Sequence, residues 1–205
     1  MIYKGVIFDL LTALLDSWSL WEEVAGSREV GLKWRQEYLK LTYSLIHYRP
    51  YEDVVMDATI NAGLPLQFAI DLSLRWDQIK PWAETNEVLK NLCSHVPMAI
   101  ATNCSQGMGQ TAANILEVKI PHIISAEEAG FYKPNKKPYE MAIKKLCLPP
   151  QEILFVAGSA SDVPGAMALG MDVYWHNKIG LELPKGILKP IEMASSLFPL
   201  EKYFS

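Results

Sequence analysis

The sequence predicts an α/β fold, a doubly wound parallel sheet of Rossmann type with a helical segment inserted directly after its first strand. Three observations carry this. Val6, Ile7 and Phe8 form a β-branched and aromatic run with no polar partner, as a strand buried on both faces requires. From residue 83 onward, short apolar runs alternate with helical segments of about 10 to 12 residues, the pattern of strands joined by crossover helices. Between these regions, residues 16–82 lose strand alternation, show apolar positions at helical spacing and hold five of the six tryptophans.

Taken in order, the stretch Ile2 to Asp16 begins with the first strand, and Asp9 stands at its carboxyl end. Val30 to His47 carries Leu32, Trp34, Leu39, Leu41 and Leu45 and reads as one long helix stopped by Pro50. Tyr51 to Ala62 and Leu66 to Lys80 read as two more, with Gly63 and Pro65 as punctuation. The alternating part then runs helix Glu84 to Ser94, strand Met98 to Thr102, helix Ser105 to Leu116, strand Ile120 to Ser125 and helix Lys136 to Leu146. Strand Ile153 to Ala157, helix Val163 to Leu169 and strand Asp172 to Trp175 follow. Pro184, Pro190 and Pro199 break up residues 180–205, leaving a short helix and an edge strand. The expected division is therefore a core of 1–15 and 83–205 with 16–82 inserted.

Composition narrows the function classes. A chain of 205 residues and 23.1 kDa buries a proper core, and a net charge of −4 exerts no pull on nucleic acid or an anionic membrane. No apolar run reaches the ~20 residues of a membrane span, and the first strand begins at once, so a cytoplasmic protein without a signal peptide is expected. Cys93, Cys104 and Cys147 are odd in number and widely spaced, which argues for reduced core thiols rather than disulfides or zinc. His47, His95, His122 and His176 show no ligand spacing.

Four strand ends offer polar residues: Asp9, then Thr102 and Asn103, then Lys133 in Gly-Phe-Tyr-Lys-Pro, then Ser159 to Asp162. A parallel sheet brings such ends to one edge, where ligands of open α/β sheets bind. Each has a plainer reading. Asp9 could cap a turn, Thr102 and Asn103 the helix that follows, and Asp162 a helix with Pro164 in its first turn. Arg35 could be a surface residue with a buried stem, and Tyr139 a half-buried helix residue. Glu127 and Glu128 read as a solvated loop. Trp18, Trp21, Tyr38, Tyr43 and Trp82 read as core of the helical segment before lining of a pocket.

Together the motifs resemble the haloacid dehalogenase superfamily, and within it the L-2-haloacid dehalogenases, over residues 2–177. The first motif is similar to Phe8-Asp9-Leu-Leu-Thr-Ala-Leu-Leu-Asp16, the second to Ala99-Ile-Ala-Thr102-Asn103, the third to Tyr132-Lys133-Pro134 with Tyr139. The fourth is similar to Leu154-Phe-Val-Ala-Gly-Ser-Ala-Ser-Asp162, and Trp34-Arg35-Gln36 matches the segment that supplies an arginine from the family's helical cap. The resemblance implies a metal-independent hydrolase in which Asp9 attacks carbon and forms an ester. Lys133 keeps Asp9 ionised, and Asp162 positions the hydrolytic water. Thr12, Arg35, Thr102, Asn103, Tyr139 and Ser159 meet the substrate, a small carboxylic acid. No cofactor is implied, and a homodimer through the cap is.

The pattern also departs from its relatives. Superfamily phosphatases place a second acid where this chain has Leu11, and another where it has Ser159, so a Mg²⁺ site here would rest on Asp9, Asp162 and a backbone carbonyl. Dehalogenases carry an aromatic residue, Gly and Thr where this chain has Leu11, Thr12 and Ala13, and Ser-Asn where it has Gly158-Ser159. A Mg²⁺-dependent phosphatase and a catalytically weak carboxylate-binding protein are the competing expectations.

Overall fold

The computed structural model describes residues 3–183, 185–186 and 188–204. Ile2, which opens the first motif stretch, and Pro184, expected as a breaker, lie outside them. The strands are β1 (Gly5–Phe8), β2 (Met98–Thr102), β3 (His122–Ser125), β4 (Ile153–Ala157), β5 (Asp172–His176) and β6 (Glu192–Ala194). They form one sheet in the order β3-β2-β1-β4-β5-β6, parallel at every pairing. All residues of β1, β2 and β4 are buried, which is why their sequences run apolar without alternation.

Strand periodicity sorts the core into two layers. Val6, Phe8, Ile100, Leu154 and Val156 face one side, while Ile7, Ala99, Ala101, Phe155 and Ala157 face the other. The first layer continues into the aromatic residues of the helices that follow β1, α1 (Ser17–Ala25), α2 (Arg28–Ser44), α3 (Tyr51–Asn61) and α4 (Gln67–Leu74). The same face holds α5 (Thr85–Cys93) and α6 (Gln106–Ala113); α8 (Lys136–Leu146) and α9 (Asp162–Met167) cover the second layer. Connections from β1 lead to β2 on one side and from β4 to β5 on the other, so the order reverses at the β1–β4 pair. The crevice beyond the carboxyl ends of these two strands is where such a sheet binds its ligand. No helix among the described residues is long and apolar enough to cross a membrane.

Several local expectations need correcting. The long helix ends at Ser44 rather than His47, because Tyr48 N–H bonds to the Gly130 carbonyl and draws the chain toward the sheet; Pro50 precedes α3 instead of stopping α2. The segment after α4 tightens into a 3₁₀ turn, Trp76–Gln78, whose indole N–H donates to the Met108 carbonyl. Glu127 and Glu128 lie in a four-residue helix, α7 (Ala126–Ala129), capped by Ser125, and the Glu127 carboxylate accepts the Gln106 N–H. Of the cysteines only Cys104 is buried, its thiol pushed up to about 12 by burial. Cys93 and Cys147 stand exposed at helix ends.

Candidate active site

Asp9 leaves β1 and is followed at once by a π-helical turn, Leu10–Leu14, wholly buried. The turn folds back over the carboxylate. Oδ2 accepts the Thr12 N–H at 2.8 Å, the Thr12 hydroxyl at 2.6 Å and the Ala13 N–H at 3.2 Å. Asp9 therefore caps the turn as its plainer reading expected, and the displaced Thr12 hydroxyl still reaches it. Oδ1 faces Lys133, whose Nζ donates at 2.8 Å. Gly158 permits this arrangement, because a Cβ there would collide with the backbone of Thr12 and Ala13.

Lys133 is 2% exposed and also donates to Asp162 Oδ2 at 3.1 Å. Burial alone would raise the Asp9 carboxyl, but the Lys133 charge and the hydrogen bonds from Lys133 and Thr12 outweigh it and hold it below the ordinary carboxylate value. Burial likewise opposes the charge on Lys133, yet Asp162 and Asp9 keep its ammonium above the usual lysine value. Asp162 goes the other way, raised by burial and by the neighbouring Asp9 charge against the pull of Lys133. Two buried carboxylates sharing one ammonium thus divide into a strong acid and a weaker one.

Supporting contacts set these positions. Asn103 Oδ1 accepts the Lys133 N–H at 2.7 Å and its Nδ2 donates to the Lys133 carbonyl at 3.0 Å, so the amide clamps the lysine's backbone. Tyr139 donates to Asp162 Oδ1 at 2.7 Å and Ser159 donates to Oδ2 at 3.3 Å. Arg35 comes from α2, is 6% exposed, and lies over the Trp18 ring, 3.8 Å from its centroid. Its Nη1 donates to Ser17 Oγ at 2.9 Å, while Nε is buried without a partner. Burial lowers its pKa, and no salt bridge engages it among the described residues.

A small cavity of about 40 Å³ lies between the sheet edge and the helices that follow β1. Asp9, Thr12, Arg35, Asn103, Lys133, Ser159 and Asp162 line it, with Trp21, Tyr38 and Tyr43 among the aromatic walls. Two expected substrate contacts do not reach it. Tyr139 is wholly buried, its hydroxyl spent on Asp162 and its ring against Phe155. Thr102 is also wholly buried; it packs beside Gly109 of α6 with its hydroxyl 3.6 Å from Cys104 Sγ. Ser17 escaped the sequence reading, since a serine after a capping aspartate looks like any first-turn residue.

The site does not fit a Mg²⁺ shell well. That ion takes a near-octahedral oxygen set, usually with carboxylates. Here Lys133 bonds both available carboxylates, Asp9 Oδ2 already accepts three hydrogen bonds, and Ser159 offers only a hydroxyl.

Comparison with known proteins agrees with the geometry. The family model described as haloacid dehalogenase-like hydrolase matches residues 6–176. The (S)-2-haloacid dehalogenase 2 of Pseudomonas sp. (strain CBS-3) is 32% identical over 193 residues, covering 85% of this chain and 84% of its own. The haloacetate dehalogenase H-2 of Moraxella sp. (strain B) is 25% identical, covering 86% and 87%. The solved L-2-haloacid dehalogenase from Xanthobacter autotrophicus shares the fold at a TM-score of 0.84, with 19% identity over 98% of this chain and 97% of that one. With the family model spanning residues 6–176, most of its length, this chain belongs to the haloacid dehalogenase-like hydrolases.

Proposed function

We propose that residues 16–82 act as a cap over a core of 1–15 and 83–205, and that the enclosed site displaces halide from C2 of a short 2-haloacid to give a 2-hydroxy acid. Arg35 carries this reading. A buried guanidinium with an unpartnered Nε, and no carboxylate paired to it among the described residues, pays desolvation that an entering anion offsets. It lines the same cavity as Asp9.

In this reading Asp9 Oδ1 attacks C2, and the carbon–halogen bond breaks with its electron pair leaving on the halide toward Arg35 and Asn103. The cap excludes water that would blunt a carboxylate nucleophile. Lys133 keeps the carboxylate charged. Water then attacks the ester carbon while Asp162, whose raised pKa suits a base, takes the proton. Negative charge growing on Oδ2 meets the Thr12 and Ala13 amides and the Thr12 hydroxyl, an oxyanion hole already in place. The bond from that carbon to Oδ1 then breaks, the departing oxygen takes the proton back from Asp162 as the 2-hydroxy acid leaves, and Asp9 is restored with an oxygen from water.

The test is halide release from each enantiomer of 2-chloropropionate, with EDTA present and Asp9→Asn as control. Release from one enantiomer, lost in the variant, supports the reading. No release overturns it. Mg²⁺-stimulated release from a phosphate ester would then assign a phosphatase, and a ligand-induced thermal shift without turnover a binding protein.

A further inference from the structure

We propose that Ser17 and Trp82 are positioning residues, each holding by its carbonyl oxygen one of the two peptide groups whose N–H grips Asp9. Ser17 Oγ donates to the Leu11 carbonyl at 2.6 Å, and the same peptide group presents the Thr12 N–H to Asp9 Oδ2 at 2.8 Å. Trp82 Nε1 donates to the Thr12 carbonyl at 3.1 Å, and that peptide group presents the Ala13 N–H to Oδ2 at 3.2 Å. The proposal rests on Asp9 as the reacting carboxylate.

Peptide planarity makes the arrangement matter. The C=O and N–H of one peptide group are rigidly opposed, so a donor on the oxygen fixes the aim of the N–H. It also polarises the group, and hydrogen bonds in a chain strengthen one another by roughly 10–30% each. Ser17 extends this chain to Arg35, which donates to its hydroxyl at 2.9 Å. A continuous path therefore runs from the anion-binding guanidinium through Ser17 and the Leu11–Thr12 peptide to the nucleophile.

The two grips stand where the chain crosses between sheet and inserted helices. Ser17 opens α1 on the way out; Trp82 follows the return, where Asp16 N–H bonds to the Lys80 carbonyl and Trp82 N–H to the Leu14 carbonyl. Placement of the inserted helices is thereby tied to the aim of the amides. Trp82 does not line the cavity, so its effect on the reaction passes through the turn.

The test compares Ser17→Ala, Ser17→Thr and Trp82→Phe with wild type, by ¹⁵N–¹H spectra of the Thr12 and Ala13 amides and by steady-state kinetics. Ser17→Ala is expected to move the Thr12 amide upfield more than the Ala13 amide, and Trp82→Phe the reverse. Trp82→Phe lowers kcat about tenfold to a hundredfold, the scale of a small misplacement of a reacting group, with KM within about twofold. Ser17→Ala also raises KM, because Arg35 loses its partner, and Ser17→Thr restores both. Unchanged amides, equal disturbance of both amides by both variants, or a Trp82→Phe loss confined to KM overturns the proposal. Absent halide turnover in wild type would remove the nucleophile reading alone, since the amide signals decide the grip without substrate.

Discussion

Lys133 Nζ stands 2.8 Å from Asp9 Oδ1 with both side chains out of solvent, although 124 residues separate them. The same ammonium lies 3.1 Å from Asp162 Oδ2, so one cation holds two buried acids. Replacing it with methionine leaves both acids buried without a cation. Lys133→Met is expected to cost about 3–5 kcal/mol at neutral pH, the scale of breaking a buried ion pair. Part of that loss returns at acidic pH as Asp162 takes up a proton. Urea melts of wild type and variant at pH 7 and pH 5 measure it, and halide release falls to background.

The signs of the shifts set the stability profile. Asp9 is held below the ordinary carboxylate value, so its contribution is complete above about pH 3.9 and drains as pH falls through its lower native value. Lys133 is held up, so its contribution is complete below about pH 10.4 and is lost as pH rises through the native value. Asp162 is raised and opposes folding once pH climbs past its unfolded value toward its native one. Stability by denaturant melts is therefore expected to fall at both extremes. Lys133→Met abolishes the alkaline loss that this group supplies.

Arg35→Met separates function from stability. The guanidinium is buried with Nε unpartnered, so its removal is expected to raise the thermal midpoint while kcat/KM falls at least about 10²-fold. Arg35→Lys does not rescue activity, because an ammonium lacks the planar fork and stacks poorly on Trp18. A thermal melt beside a halide assay checks both halves.

Gly158→Ala probes the space behind Asp9. Its methyl would enter the backbone of Thr12 and Ala13. Destabilisation of about 1–3 kcal/mol is expected, as for overpacking elsewhere, with a kcat loss larger than that of an alanine placed at the open Gly107. Chemical denaturation and single-turnover rates of the two variants measure the difference.

Much of the architecture was legible because its signals are local. The boundaries of β2, β4 and α8 fall where apolar runs and helix starts put them. The end of α2 did not, because a long-range bond from Tyr48 to Gly130 decides it. Tyr139 could be recognised by its place after Lys133, yet only packing shows its hydroxyl turned to Asp162 and away from the cavity.

The chain's order of residues by itself determined the parallel α/β sheet, the run of helices between β1 and β2, and the gathering of Asp9, Lys133 and Asp162 at one edge. These follow from strand burial and from parallel strands ending together. Tertiary structure alone decided which group answers which: Asn103 to the Lys133 backbone, Ser17 to Leu11 and Arg35, Trp82 to Thr12. A hydrogen bond depends on separations of a few tenths of an ångström and on direction. Periodicity along the chain carries neither across the 70 residues between Thr12 and Trp82.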